Sequence, residues 1–299
     1  MTNTSNQIVF FGSGFVAAKS LEFLYKNFAI EAVITKPVKT NSRDKAPVID
    51  LSKKLGLKIF TPVNKAELDE LINKKMFSSQ LGVLIDYGII VSEKVISYFE
   101  LGIINSHFSL LPLLRGPDPI SFAILSGENI SGVSLMLINS GIDEGKLIAQ
   151  EELMINNLDN IELTNRLINL SNKMLKNFIP EYRSGKMTPY SQSDKIAPTY
   201  SRKLNKEDGI INWNKSAEEI EREIRAYIAW PKSTTHIFGV PVIITKARVS
   251  SLSGQAGQIS YNKNSMNIKC SKGSLDIISL KPAGRNEMTV SSFISGYKN

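Results

Sequence analysis

Between residues 7 and 154, short apolar runs alternate with amphipathic stretches, and few architectures accommodate that rhythm. Gln7–Gly12 (QIVFFG) reads as a buried strand. A glycine turn follows it, then an apolar-periodic helical segment from Val16 to Leu24. The pattern continues with strands at 30–35, 57–61 and 81–88 (LGVLIDYG), and with helices at 47–55 and 64–75. Further strands fall at 102–107 (GIINSH), 132–138 (GVSLMLI) and 147–154 (LIAQEELM), with a helix around Ile120–Leu125. Such alternation predicts an α/β fold on a parallel, Rossmann-like sheet. Leu163, Leu167, Leu170, Met174 and Phe178 then recur at helical spacing, so 161–184 is expected to be one long amphipathic helix.

After Gly185 the pattern changes. Lys186–Thr199 is polar with two prolines and reads as a linker. Ser216 and Glu219 stand at capping-box spacing before a helix ending near Ala226. From Thr234 onward, short β-type runs broken by Gly, Asn and Ser suggest a small β-barrel. The expected division is therefore an α/β domain over 1–188, a linker over 189–205 and a barrel domain over 206–299.

Charge follows the same division. The net charge is +8, yet residues 190–299 alone hold 16 Lys/Arg against 9 Asp/Glu. A basic surface confined to one part of a chain fits either solvation or a phosphate backbone, and the second reading is favoured. The start of the chain lacks the basic and apolar segments of a secretory leader, and no apolar run is long enough to span a membrane. Cys270 has no partner for an internal disulfide and no Cys/His spacing for zinc, and is expected to be a buried small side chain. A cytoplasmic protein is expected.

Two motifs bear on chemistry. Gly12-Ser13-Gly14-Phe15-Val16-Ala17 fits G-x-G-x-x-A after a strand and before a helix, where a dinucleotide pyrophosphate could sit. The second strand ends in Thr35-Lys36-Pro37, without the acidic residue that would hold a nicotinamide ribose. A tight turn lining some other ligand is the stronger reading. The second motif is Asn105-Ser106-His107, at the carboxyl end of a strand, where α/β sheets place ligand clefts. Residues two apart on a strand point the same way, so Asn105 and His107 would emerge together. Gly141-Ile142-Asp143-Glu144-Gly145 supplies a carboxylate in a glycine turn.

Asn, His and Asp suit attack of an amine on a carbonyl. Fixed donors stabilise the oxygen as it gains charge, and a carboxylate orients the imidazole or accepts the proton the amine loses. On spacing alone, a structural histidine and an ordinary turn aspartate remain open. His236, among apolar strand residues, reads as structural.

The segment Asn105-Ser106-His107, Ser109-Leu110-Leu111-Pro112, Arg115-Gly116 and Pro119-Ile120, with Asp143 in its Gly turn, resembles the folate-dependent formyltransferase family. The likeness runs on through Tyr200–Leu204, Lys206–Gly209, Ile211–Trp213, Trp230-Pro231 and Pro282–Arg285. It implies that Asn105, His107 and Asp143 are catalytic and that 10-formyltetrahydrofolate is the co-substrate. It places that folate against Tyr87, Gly88 and Ile89 and along Ser109, Leu110, Leu111 and Pro112. It further implies an OB-like second domain facing tRNA, with the amine of methionyl-initiator tRNA as formyl acceptor. Candidate tRNA contacts are Lys39, Arg43, Lys45, Arg202, Lys203 and Lys206. No metal is implied, and a monomer is expected.

Departures from the family pattern fall at Asp86, Leu113-Leu114, Pro117-Asp118, Glu144 and Lys146, and in the short Lys36–Pro47 loop. Two alternatives stand beside this reading. One is an N-formyltransferase acting on a nucleotide-linked amino sugar; the other is a non-catalytic RNA-binding protein on a decayed enzyme scaffold.

Overall fold

The computed structural model describes residues 6–38, 46–74 and 76–297. Contacts divide the chain into two compact units. The first comprises Met1–Gly116, Ser131–Met154 and Thr164–Tyr200; the second comprises Pro117–Ile130, Ile155–Leu163 and Ser201–Asn299.

The first unit holds a seven-stranded sheet in the order β3-β2-β1-β4-β5-β6-β7. Its strands are β1 (Gln7–Phe11), β2 (Ala29–Ile34), β3 (Ile59–Phe60), β4 (Gly82–Leu84), β5 (Ile103–His107), β6 (Ile130–Leu137) and β7 (Leu147–Met154). Parallel pairing links β1 to β2 and β4, β2 to β3, and β4 to β5. The chain steps outward from β1 to β3 and then returns past β1 to β4. This reversal opens a crevice at the carboxyl ends of β1 and β4.

Expectation and structure part at β6, which runs antiparallel to β5. The helix between them, α5 (Pro119–Ser126), packs on a helix of the second unit's own fold, so this connection is not a crossover returning the chain parallel. Ile8 to Phe11 are fully buried, as suits a strand covered on both faces. Phe11 meets Tyr87 and Phe99 edge-on, with ring centroids 5.7 and 5.9 Å apart.

Helices α1 (Phe15–Tyr25), α2 (Pro47–Lys54), α3 (Lys65–Asn73) and α6 (Asn160–Arg183) fall where periodicity placed them. Helix α4 (Glu93–Tyr98) was not anticipated, being too short for periodicity to register. Its local signal is the Ser92 side chain, which accepts from Val95 N–H at 3.3 Å as an N-cap.

The second unit contains α7 (Ala217–Ala226) and the antiparallel strands β8 (Ser233–Ile237), β9 (Val240–Ser250), β10 (Ile259–Tyr261), β11 (Met266–Lys269) and β12 (Ser274–Pro282). A short β13 (Met288–Thr289) pairs with β12, and α8 (Val290–Tyr297) follows. Register shifts between β9 and β12 near Ser279 mark bulges, which increase twist and curl the sheet into a barrel-like form. Ile220, Ile224, Ile244, Ile268, Leu275, Leu280 and Phe293 fill its core. Cys270 is buried there too, as expected. His236 lies on β8 opposite Pro241, with its side chain exposed.

Where the sequence suggested a linear boundary, residues 117–130 and 155–163 group with the C-terminal residues. Helix α5 rests on α7, and the Arg225 guanidinium donates to Leu158 O at 3.0 Å. Much of the stretch read as a linker is bonded to the first unit. Tyr190 exchanges backbone hydrogen bonds with Leu147 at 2.7 and 2.9 Å, and Arg115 N–H donates to Thr199 O at 2.9 Å.

Candidate active site

Strand β5 lies between β4 and β6, with Asn105 opposite Leu84 on one side and Met136 on the other. Ile103 and Ile104 are buried, and the chemistry-bearing residues follow at the strand's carboxyl end. His107 is only 6% exposed, and one ring nitrogen, Nε2, lies 2.9 Å from Leu114 O. A carbonyl oxygen can only accept, so Nε2 carries the hydrogen. In the neutral ring, Nδ1 is then the acceptor, and it faces Asp143 Oδ2 at 3.7 Å. That gap is too long for a direct hydrogen bond, and the two atoms can form one only when a proton stands on one of them. Asn105 stands two residues up the same strand, on the same face as His107. The geometry therefore sets Asp143 against His107, with Asn105 placed on the same strand face.

Asp143 occupies a turn that the surrounding backbone holds in place. Its φ of 52° is in the left-handed region, which costs a non-glycine residue on the order of 1 kcal/mol. Against this, Gly116 N–H donates to Asp143 Oδ2 at 2.7 Å, a bond to a charged acceptor that contributes about 1.5–3 kcal/mol. Gly116 itself has φ 103°, open only to glycine, which gives the Arg115-Gly116 pair a physical reason. A Cβ at Gly145 would overlap Leu137 O, so glycine lets the turn close on the end of β6. Arg115 reaches Glu144 Oε1 at 3.0 Å.

Sequence reasoning missed Gly116 as the partner of Asp143. It also missed Gln192, whose side chain donates to Asp143 O at 2.7 Å and Gly145 O at 3.0 Å. Gly116 was within reach, because it sits in the quoted motif; Gln192 lies in a polar stretch with no periodic signal.

The loop after β5 is built to hold its shape. Ser109 Oγ donates to Leu113 O at 2.6 Å, and Ser134 Oγ donates to Ser109 O at 2.6 Å. Gln150 donates to Leu111 O at 2.9 Å, and the Leu111–Pro112 peptide bond is cis. Ser109, Leu111 and Pro112 are buried, while Leu110 is half-buried against Gly132. Tyr87 is buried in the core, so it can meet a ligand only through its backbone; Gly88 is exposed and Ile89 half-buried.

The glycine turn proves inhospitable to a pyrophosphate. The Asp86 carboxylate lies against Gly14 at the start of α1, so closely that a Cβ there would overlap Oδ2. Negative charge already occupies the place a phosphate would take. Burial pushes this carboxyl up from 3.8 to about 6, with Lys36 pulling it partly back. Ser13 ties the turn together, donating through Oγ to Tyr87 O at 3.2 Å and accepting from Lys36 N–H at 3.1 Å.

Of the residues considered for tRNA, Lys39, Arg43 and Lys45 lie outside the described residues. Arg202 forms a bidentate pair with Asp208 at 2.7 and 2.6 Å and sits over the Phe122 ring, with its side chain still 57% exposed. Lys203 and Lys206 are exposed. Among the described residues no group of three or more His, Cys, Asp or Glu could hold a metal ion. No described helix is long and apolar enough to cross a membrane.

Comparison with known proteins finds likeness along nearly the whole chain. Residues 6–179 match the family model "Formyl transferase", and residues 203–298 match "Formyl transferase, C-terminal domain". The chain is 34% identical to the methionyl-tRNA formyltransferase of Thermodesulfovibrio yellowstonii, over 98% of this chain and 97% of that protein. It is 32% identical to that of Roseiflexus castenholzii, over 98% and 97%. Among solved structures, an N-formyltransferase from Helicobacter canadensis in complex with folinic acid and dTDP-3-aminofucose aligns with a TM-score of 0.69. The two are 23% identical, with 91% of this chain and 98% of that one covered, a likeness of fold alone. HypX from Aquifex aeolicus in complex with tetrahydrofolic acid aligns with a TM-score of 0.67 at 14% identity, covering 98% of this chain and 47% of that one. With both of its domain models matched along nearly the whole sequence, the chain belongs to the formyl transferase family.

Proposed function

We propose that this chain transfers the formyl group of 10-formyltetrahydrofolate to the amino group of methionyl-initiator tRNA. The observation that carries the chemistry is His107, locked by Leu114 O through Nε2 and facing Asp143 through Nδ1. As the neutral amine attacks the formyl carbon, the Asn105 amide donates to the oxygen that gains charge. His107 donates a second hydrogen bond through Nδ1 when that nitrogen carries a proton, because Nε2–H is held by Leu114 O. One such donor changes a rate by about 10²–10³. Asp143 accepts, directly or through water, the proton the amine loses. The C–N10 bond then breaks and N10 takes up a proton, so the reaction is proton-neutral overall. The folate lies along the Ser109–Pro112 loop and the backbone of Tyr87–Ile89.

The acceptor follows from two supports: relatives named methionyl-tRNA formyltransferases, and a basic excess concentrated in residues 190–299. Lys203 and Lys206 are the exposed candidates for phosphate contact, and Arg202 acts as a structural pair with Asp208. The test supplies 10-formyltetrahydrofolate with either methionyl-initiator tRNA or a nucleotide-linked amino sugar. Formylation of the tRNA alone is expected. Consumption of folate only with the sugar would overturn the assignment.

A further inference from the structure

We infer that Gln192 is a positioning residue for formyl transfer, acting through Asp143; the inference rests on the reading of the reaction given above. Gln192 lies in Tyr190–Tyr200, a strap tied at both ends to the segments that carry the site. At one end Tyr190 pairs with Leu147, just beyond the Asp143 turn. At the other, Thr199 accepts from Arg115 N–H and, through its hydroxyl, from Leu114 N–H at 2.9 Å. Leu114 is the residue whose carbonyl holds His107. Every residue of the strap is exposed except Gln192, which is half-buried and turned inward.

The amide of Gln192 matches what it meets. Its NH2 group has two hydrogens, and two carbonyl oxygens receive them, Asp143 O at 2.7 Å and Gly145 O at 3.0 Å. Its oxygen accepts from the Arg115 guanidinium at 2.7 Å. A reversed amide would set oxygen against two oxygens and nitrogen against a cation, so the orientation is fixed by its partners. Asp143 has φ 52°, a conformation that persists only where neighbours over-determine it. Gln192 grips the backbone on both sides of Glu144, while Gly116 grips the Asp143 carboxylate. The 3.7 Å spacing between Asp143 and His107 therefore depends on a side chain whose own hydrogen bonds go to the turn backbone and to Arg115.

The test uses the full chain with 10-formyltetrahydrofolate and methionyl-tRNA. Gln192→Ala is expected to lower kcat by ~10–100-fold, the effect of a misplaced catalytic group, while KM for both substrates moves less than about threefold. Gln192→Glu, which keeps the size and the Arg115 contact but cannot donate, should lose as much. Should Gln192→Ala fail to fold, Gln192→Glu alone decides. In an Asp143→Asn background, Gln192→Ala should change kcat less than about twofold, because residues acting as a unit are non-additive. Ser191→Ala, on the same strap, should match the parent. The inference is overturned by an unchanged kcat, by a loss confined to KM, or by equal losses in both backgrounds. If the parent chain itself forms no formylmethionyl-tRNA, the proposed reaction fails instead.

Discussion

Asp86 shows how one carboxylate can occupy the start of a helix that a phosphate would otherwise need. The Asp86 carboxylate lies against Gly14 at the start of α1 and fills the anion seat there. Because burial raises the Asp86 carboxyl to about 6 from 3.8, folding favours its protonated form relative to the unfolded chain, although the carboxylate still carries charge at neutral pH. That contribution is complete below pH 3.8 and is lost as pH rises through about 6. Asp86→Asn removes the titration. Unfolding free energy measured from pH 4 to 7 should then decline less in the variant, by about 1 kcal/mol, the residue's exposed edge keeping the effect small. Parallel curves for the two proteins would contradict the assigned burial cost. The shared face of Asn105 and His107 was readable from spacing, because i and i+2 on a strand must share a face, whereas their proposed role with Asp143 came from the family resemblance. The grip of Gly116 and Gln192 on Asp143 was not readable, since backbone donors and distant amides leave no periodic trace.

Secondary structure was most legible where the signal was longest. Helix α6 spans 24 residues and coincides with its apolar period, and β1 is the buried run that its composition implies. Where signals were short they failed. Helix α4 has six residues, and the direction of β6 depends on where α5 packs, which no local pattern encodes. Helix α7 is the clearest case of local instruction carried into structure. Ser216 Oγ accepts from Glu219 N–H at 3.2 Å, and Glu219 accepts in return from Ser216 N–H at 2.8 Å. Ser216→Ala should cost about 1 kcal/mol of stability, read from a urea midpoint, with formyl transfer unaffected at temperatures below unfolding. A loss of activity without a loss of stability would mean that Ser216 has a role this packing does not provide.

Over the whole chain, charge and chemistry are separated along the sequence. The residues that meet at Asp143 lie between 105 and 200, whereas nearly all of the excess positive charge lies after residue 189. The parallel α/β plan and the barrel-like second part were legible because each has its own period. The grouping of 117–130 and 155–163 with the C-terminal residues was not, because it is made by contacts remote in sequence. For the proposed reaction this has a direct consequence: changes at the Asp143 carboxylate should leave tRNA affinity alone. The decisive measurement is the single-turnover rate of formyl transfer to methionyl-tRNA by Asp143→Asn, taken beside its Kd for that tRNA. A rate lowered by ~10²–10³ with Kd unchanged within about twofold is the predicted result. Undiminished turnover, or a loss explained entirely by weaker tRNA binding, would contradict the catalytic role given to the Asn105, His107 and Asp143 arrangement.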